Sequence, residues 1–173
     1  LLIFVTGERE SAQLEEMELR AIRGAEAEEE IASILDNLGE GFLVLHDIPS
    51  PYGNIDHIVI SEQSGIFLIE TKAHGGRVSV VDGQLLINEH RPEKDFVAQA
   101  LKNTYWLREQ IQSVINSGVW IIALIVFTNA FVEPGLAIKN VLIINKKYLL
   151  KVLRRPITRA QNPTLWQNRE RIR

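Results

Sequence analysis

A chain of 173 residues has the length of one domain. Its hydrophobic fraction of 46% is ordinary for a globular protein and excludes a disordered one. The absence of cysteine excludes a disulfide framework and a cysteine-based zinc site, and a net charge of −3 excludes a generally basic, DNA-coating protein.

A local cationic groove is compatible with that total. Positive charge gathers late, at Lys146, Lys147, Lys151, Arg154 and Arg155, and again from Arg169 to Arg173. No apolar stretch reaches the roughly 18 residues that cross a bilayer. The opening Leu1-Leu2-Ile3-Phe4-Val5 reads either as the trailing end of a removed membrane segment or as a short apolar end at a fragment boundary.

The first predicted element is a helix from about Glu8 to Leu38, a stretch without proline and rich in Glu, Ala and Leu. Leu14, Met17, Ala21, Ile31, Leu35 and Leu38 give it an apolar face of helical period, and Gly39 and Gly41 end it. Three extended runs follow: Phe42 to His46, closed by Pro49, Pro51 and Gly53, then Ile55 to Ile60, then Ile66 to Thr71. A smaller pair, Arg77 to Val81 and Gln84 to Ile87, flanks the hairpin signal Asp82-Gly83. Gly75-Gly76 lacks the pattern of a phosphate-binding loop and reads as a simple turn.

A second helix is predicted from about Lys94 to Asn116, with Phe96, Ala100, Leu107, Ile111 and Val114 as its apolar stripe. Val119 to Phe127 is an unbroken apolar run suited to a strand buried on both faces. Asn140 to Asn145 reads as a strand, and Tyr148 to Leu153 and the segment after Pro163 as helices. The order describes an α/β domain with a mixed sheet between helices. The expected division is a helical extension over 1–23, the main domain over 24–155 and a helical tail over 156–173.

The second and third strands form a hairpin around Ser61-Glu62-Gln63-Ser64-Gly65. If Ile60 opposes Ile66, Asp56 opposes Glu70, because opposed positions keep a constant sum. Opposed residues point to one face with Cβ atoms about 5 Å apart. Lys72, two residues beyond Glu70, shares that face. Two facing carboxylates in an apolar sheet repel, and a divalent cation between them relieves the repulsion. An alternative stays open: charges on an edge strand discourage aggregation.

Glu28 falls on the inward stripe of the first helix, three residues before Ile31 and seven before Leu35, with a solvated helix face equally open, whereas Glu26, Glu29 and Glu30 point elsewhere. Gln99 repeats the pattern on the second helix, three residues after Phe96, with a capping or surface role equally open. His57 faces away from Asp56 and reads as a packed or hydrogen-bonding histidine. His46, His74 and His90 show no metal-ligand spacing. Trp106, Trp120 and Trp166 read as core or interface residues.

Ile55-Asp56-His57 followed by Ile66-Phe67-Leu68-Ile69-Glu70-Thr71-Lys72 resembles the NERD (nuclease-related domain) family of the PD-(D/E)xK superfamily. Gly24-Ala25-Glu26-Ala27-Glu28 resembles that family's opening Gly-x-x-Gly-Glu motif, with Ala27 in place of the second glycine. Gln99 matches the glutamine of its later helix, while Ala73 stands where an asparagine is common. The likeness runs from about Gly24 to Asn145.

The resemblance implies a restriction-endonuclease-like core of order αβββαβ and metal-dependent hydrolysis of phosphodiester bonds, with DNA favoured over RNA. It implies Mg²⁺, replaceable by Mn²⁺, held by Asp56, Glu70 and the Thr71 carbonyl. Lys72 would orient or deprotonate the attacking water, Glu28 would be an additional or water-mediated ligand, and Gln99 would position the site. The alternatives are a non-catalytic nucleic-acid-binding or signalling module that keeps the fold, and an interaction domain whose acids pair with a basic partner. A homodimer, a membrane anchor upstream of residue 1, and a cytoplasmic location, free or anchored on the cytoplasmic side, complete the expectations.

Overall fold

The computed structural model describes residues 2–172, with side chains from residue 10 onward. Helix α1 spans Leu2–Leu35, followed by strands β1 (Phe42–Ile48), β2 (Ile55–Ser61), β3 (Gly65–Val81) and β4 (Gln84–Ile87). Helix α2 (Phe96–Ile115) leads to β5 (Ile121–Val132), β6 (Ala137–Ile138) and β7 (Val141–Asn145). Two short helices follow, α3 (Leu149–Leu153) and α4 (Pro163–Gln167), with single 3₁₀ turns at Lys146–Tyr148, Thr158–Ala160 and Arg169–Arg171.

The strands form one mixed seven-stranded sheet in the order β1-β2-β3-β5-β7-β6, with β4 paired to β3 off that path. β1, β2 and β3 are antiparallel neighbours, whereas β3, β5 and β7 run parallel. The β3–β5 parallel pair requires a crossover, and α2 supplies it. The architecture is α/β, with helices flanking the sheet, consistent with a restriction-endonuclease-like core.

Alternation divides the side chains of β3 between two cores. Ile66 and Leu68 pack with Ile58, Ile60 and the α2 residues Leu107 and Ile111. Phe67 and Ile69 pack on the other face with Ile31 and Leu35 of α1 and Leu149 and Leu153 of α3. Asp95 caps α2 by accepting from Ala98 N–H at 2.9 Å, and Asn116, in the left-handed region, closes it.

Several expectations change. The predicted strands at Ile66–Thr71 and Arg77–Val81 are one strand, and Gly75-Gly76 is part of it rather than a turn. Gly75 and Gly76 pair with Asn129 and Ala130 of β5, which runs to Val132 and carries the ladder past the glycines. The register slips by one residue between Lys72 and Gly75, a β-bulge that re-aims β3 immediately after the lysine. Gly76 has φ +90, and a Cβ there would fall 2.0 Å from Asn88 Oδ1, so only glycine fits.

The predicted apolar face of α1 is buried only near its C-terminal end, at Ala27, Ile31 and Leu35. Leu14, Met17 and Ala21 are exposed, because a 34-residue helix outruns the sheet it packs on. Trp106 and Trp166 pack against the α2-side core, whereas Trp120 stays exposed beneath the Arg159 guanidinium.

Candidate active site

The β2–β3 ladder pairs Ile60 with Ile66 and continues to His57 opposite Ile69. One further step along that register sets Asp56 opposite Glu70, on the face covered by α2. There the ladder gives way to a side-chain contact: Thr71 N–H donates to Asp56 Oδ2 at 2.6 Å. Both strands lie inside the sheet, β2 between β1 and β3 and β3 between β2 and β5, which overturns the edge-strand explanation of these acids.

Glu70 is 1% exposed. Its Oε1 accepts from Asn103 Nδ2 at 3.0 Å, and its Oε2 lies 3.5 Å from Lys72 Nζ. The lysine extends over the Phe96 ring, with Nζ 5.0 Å from the centroid, so one wall of its pocket is apolar. His74 stands near the same ring at 5.4 Å between centroids.

Burial pushes the Glu70 carboxyl above its ordinary range, and the negative charge of Asp56 pushes it further, against Lys72 and the hydrogen bonds from Asn103 and Lys72. Burial also raises Asp56, opposed by the Thr71 N–H and Lys72 and assisted by Asp47. Glu28 is exposed along most of its side chain, yet partial burial of its carboxyl raises it, Asp56 and Asp47 add to the rise and Lys72 opposes it. The buried stripe of α1 runs through Ala27 rather than Glu28. Glu28 therefore flanks that stripe and joins the charge cluster by its field.

Gln99 is half-buried against the β1–β2 loop, where a Cβ on Gly53 would sit 3.6 Å from its Nε2. The side-chain amide that reaches Glu70 belongs to Asn103, one helical turn further along α2. Asn103 Oδ1 lies 2.6 Å from Ser50 Oγ, which is also 2.5 Å from Gly53 O and accepts from Tyr52 N–H at 3.1 Å. The single hydroxyl proton serves Asn103 and Gly53 one at a time. The site is thus tied to the loop joining β1 to β2.

Sequence reasoning missed Asn103 and Asp47. Asn103 was detectable as a polar residue between Ala100 and Leu107 on the inward stripe of α2, where an amide needs a partner. Asp47 is set opposite Asp56 by the β1–β2 register, which pairs His46 with His57 and Ile48 with Ile55. It sits at φ +52 and accepts from Asn54 Nδ2 at 2.6 Å. His57 faces away from the acids, is buried, and shares a 2.8 Å Nδ1–Nδ1 hydrogen bond with His46.

A mixed sheet that holds two facing acids, Glu70 buried and Asp56 half-buried, with a lysine on the same side, between helices on either face, defines a nuclease-like α/β domain. The chain belongs to the NERD family: the model described as nuclease-related domain matches residues 23–128 and so includes Glu28, Asp56, Glu70, Lys72 and Gln99. No curated protein and no solved structure matches the chain. A nuclease-related function follows from the family.

Proposed function

We propose that this protein hydrolyses phosphodiester bonds of nucleic acid, DNA in preference to RNA, with Mg²⁺ as cofactor and Mn²⁺ as a substitute. The observation that carries this reading is the shared face of Asp56, Glu70 and Lys72. Two carboxylates repelling across neighbouring strands, both pushed toward protonation, are what a divalent cation would reverse.

The donor set fits a hard cation, since it offers only oxygen. Among the described residues no three His, Cys, Asp or Glu side chains gather closely enough to hold an ion. Asp56 and Glu70 would therefore hold it, with the Thr71 carbonyl, water and phosphate completing the shell and Glu28 acting at the outer edge. The cation would supply Lewis-acid polarisation of the phosphate and a lower pKa for water.

The chain's own residues account for the rest. The Thr71 N–H fixes the rotamer of Asp56, and Asn103 and Ser50 fix that of Glu70. Lys72, walled by Phe96, directs its ammonium to the acid pair. There it orients the attacking water and balances the negative charge that grows on the phosphorane.

Cleavage of plasmid and of single-stranded substrates with Mg²⁺ or Mn²⁺ is the test. Asp56→Asn and Lys72→Ala are each expected to abolish cutting while circular dichroism stays unchanged. Cutting that survives both substitutions overturns the proposal. For a non-catalytic module, no metal-dependent cutting would appear, and neither substitution would reduce affinity much in EDTA.

A further inference from the structure

Beside the acid pair, the surface of α2 carries a row that the hydrolytic residues do not use. Tyr52, in the β1–β2 loop, is 50% exposed, and Lys102 Nζ lies 6.0 Å from its ring centroid. One turn on, Tyr105 is 57% exposed, and the Arg108 guanidinium lies 5.6 Å from its centroid. The row starts at the site: Lys102 adjoins Asn103, which holds Glu70, and the Tyr52 N–H donates to Ser50, which holds Asn103.

Among the described residues neither Lys102 nor Arg108 forms an ion pair, whereas Arg20, Arg77 and Lys146 pair with Glu16, Glu133 and Glu30. Lys102 is exposed and Arg108 half-buried with its Nε inside, and the unpaired charge of each can meet an anion. Exposed aromatic faces alternating with such cations suit unpaired bases and their phosphates, because every base presents a π-face to a stacking ring. The bases of a duplex are already stacked on one another and do not offer those faces. From Lys102 to Arg108 the helix rises about 9 Å, which spans roughly three stacked bases at about 3.4 Å each.

We propose that Tyr52, Lys102, Tyr105 and Arg108 form a track for single-stranded nucleic acid, holding about three nucleotides beside the scissile phosphate. This rests on the hydrolytic reading for its direction, since the Lys102 end of the track adjoins Asn103, which holds the buried Glu70. It makes the preferred substrate an unpaired strand, flap or end. Stacking and phosphate contact are common to DNA and RNA, so the two sugars are separated by experiment.

The test is fluorescence anisotropy of the whole chain in EDTA with a dodecamer of deoxyuridine, a dodecamer of uridine and a duplex of equal phosphate count. At least one single strand is expected to bind more tightly than the duplex, and the tighter of the two identifies the sugar. Tyr105→Ala and Tyr52→Ala should each weaken that binding about fivefold or more, with Tyr105→Phe restoring it. Lys102→Ala should lower the salt slope by about 0.7. Both tyrosines are exposed, so the variants keep the fold, which circular dichroism checks. Single-strand affinity unchanged in the double tyrosine variant, or duplex binding that matches the single strands, overturns the track. Because no cutting is required, a protein that fails to cleave yet loses affinity in the tyrosine variants refutes hydrolysis alone. Metal-dependent cutting with tyrosine-independent binding refutes the track alone.

Discussion

Glu70 and His57 lie on adjacent strands, both nearly fully buried, and burial drives each toward its neutral form: Glu70 upward, His57 down to about 4. Their surroundings separate them. Glu70 has a second carboxylate opposite, an ammonium beside it and an amide on its Oε1. His57 lies on the α1 face with His46 as its hydrogen-bonding neighbour, and among the described residues its buried Nε2 has no partner. A cation held near Glu70 would restore an ionised pair, whereas burial and His46 both oppose protonation of His57. One buried polar group is poised for charge, and the other is held neutral as part of the packing.

The strongest way to break that contrast is Glu70→Gln. If Glu70 is a ligand of the proposed ion, its loss removes several kcal/mol of transition-state stabilisation, a fall on the order of 10³-fold in cutting rate. The thermal stabilisation by Mn²⁺ should vanish with it. Its pH signature is as telling. The raised carboxyls of Asp56 and Glu70 stabilise the metal-free fold fully below the ordinary carboxyl range, and that contribution is lost as pH rises through their folded values. Melting in EDTA should therefore show Glu70→Gln losing less stability than the wild type as pH rises. Equal Mn²⁺ shifts in the two proteins would remove Glu70 from the ligand set.

His57 carries the opposite sign. Its folded pKa, lowered from 6.5 to about 4, contributes stability fully above 6.5 and loses it as pH falls from 6.5 toward 4. The loss should reach about 3 kcal/mol in denaturant titrations run across that range. His57→Gln should flatten that slope and leave metal-dependent cutting in place. An unchanged slope would mean that the wild-type imidazole takes up its proton in the fold.

Asn103→Ala comes next, since it leaves Glu70 Oε1 buried without its amide. The expected cost is about 2 kcal/mol in unfolding free energy, with a 10- to 100-fold fall in Mn²⁺ affinity, as is usual for groups that orient a ligand. Calorimetric Mn²⁺ titration checks the second effect. Stability lost with affinity intact would reduce Asn103 to a packing role.

The acidic side of this contrast was legible in the sequence because strand alternation is local. Once Ile60 faces Ile66, the shared face of Asp56, Glu70 and Lys72 follows from period two. Helical phase carried less: the stripe through Ile31 and Leu35 continues to Ala27, one position from Glu28. Asn103 was harder to see, because its importance comes from a residue 33 positions away, a contact fixed by how α2 crosses the sheet. The bulge after Lys72 was invisible because two glycines resemble a turn until β5 is known to pair beside them. The exposed stretch of α1 over residues 10–23 shows the limit of periodicity, which marks an apolar face without saying what covers it.

The smallest expected effect tests whether the β1–β2 loop belongs to the site. Ser50 Oγ touches Asn103 Oδ1, Gly53 O and Tyr52 N–H and reaches no acid directly. Ser50→Ala should cost about 1 kcal/mol of stability and leave Asn103 free to tilt. If Asn103 orients Glu70 for the ion, this variant lowers Mn²⁺ affinity in the same direction as Asn103→Ala but by a smaller factor. Combined with Asn103→Ala it should then add almost nothing, because residues in one hydrogen-bonded chain are not independent. Fully additive losses in the double variant would instead show that Ser50 holds only its own turn, and that the orientation of Glu70 ends at α2.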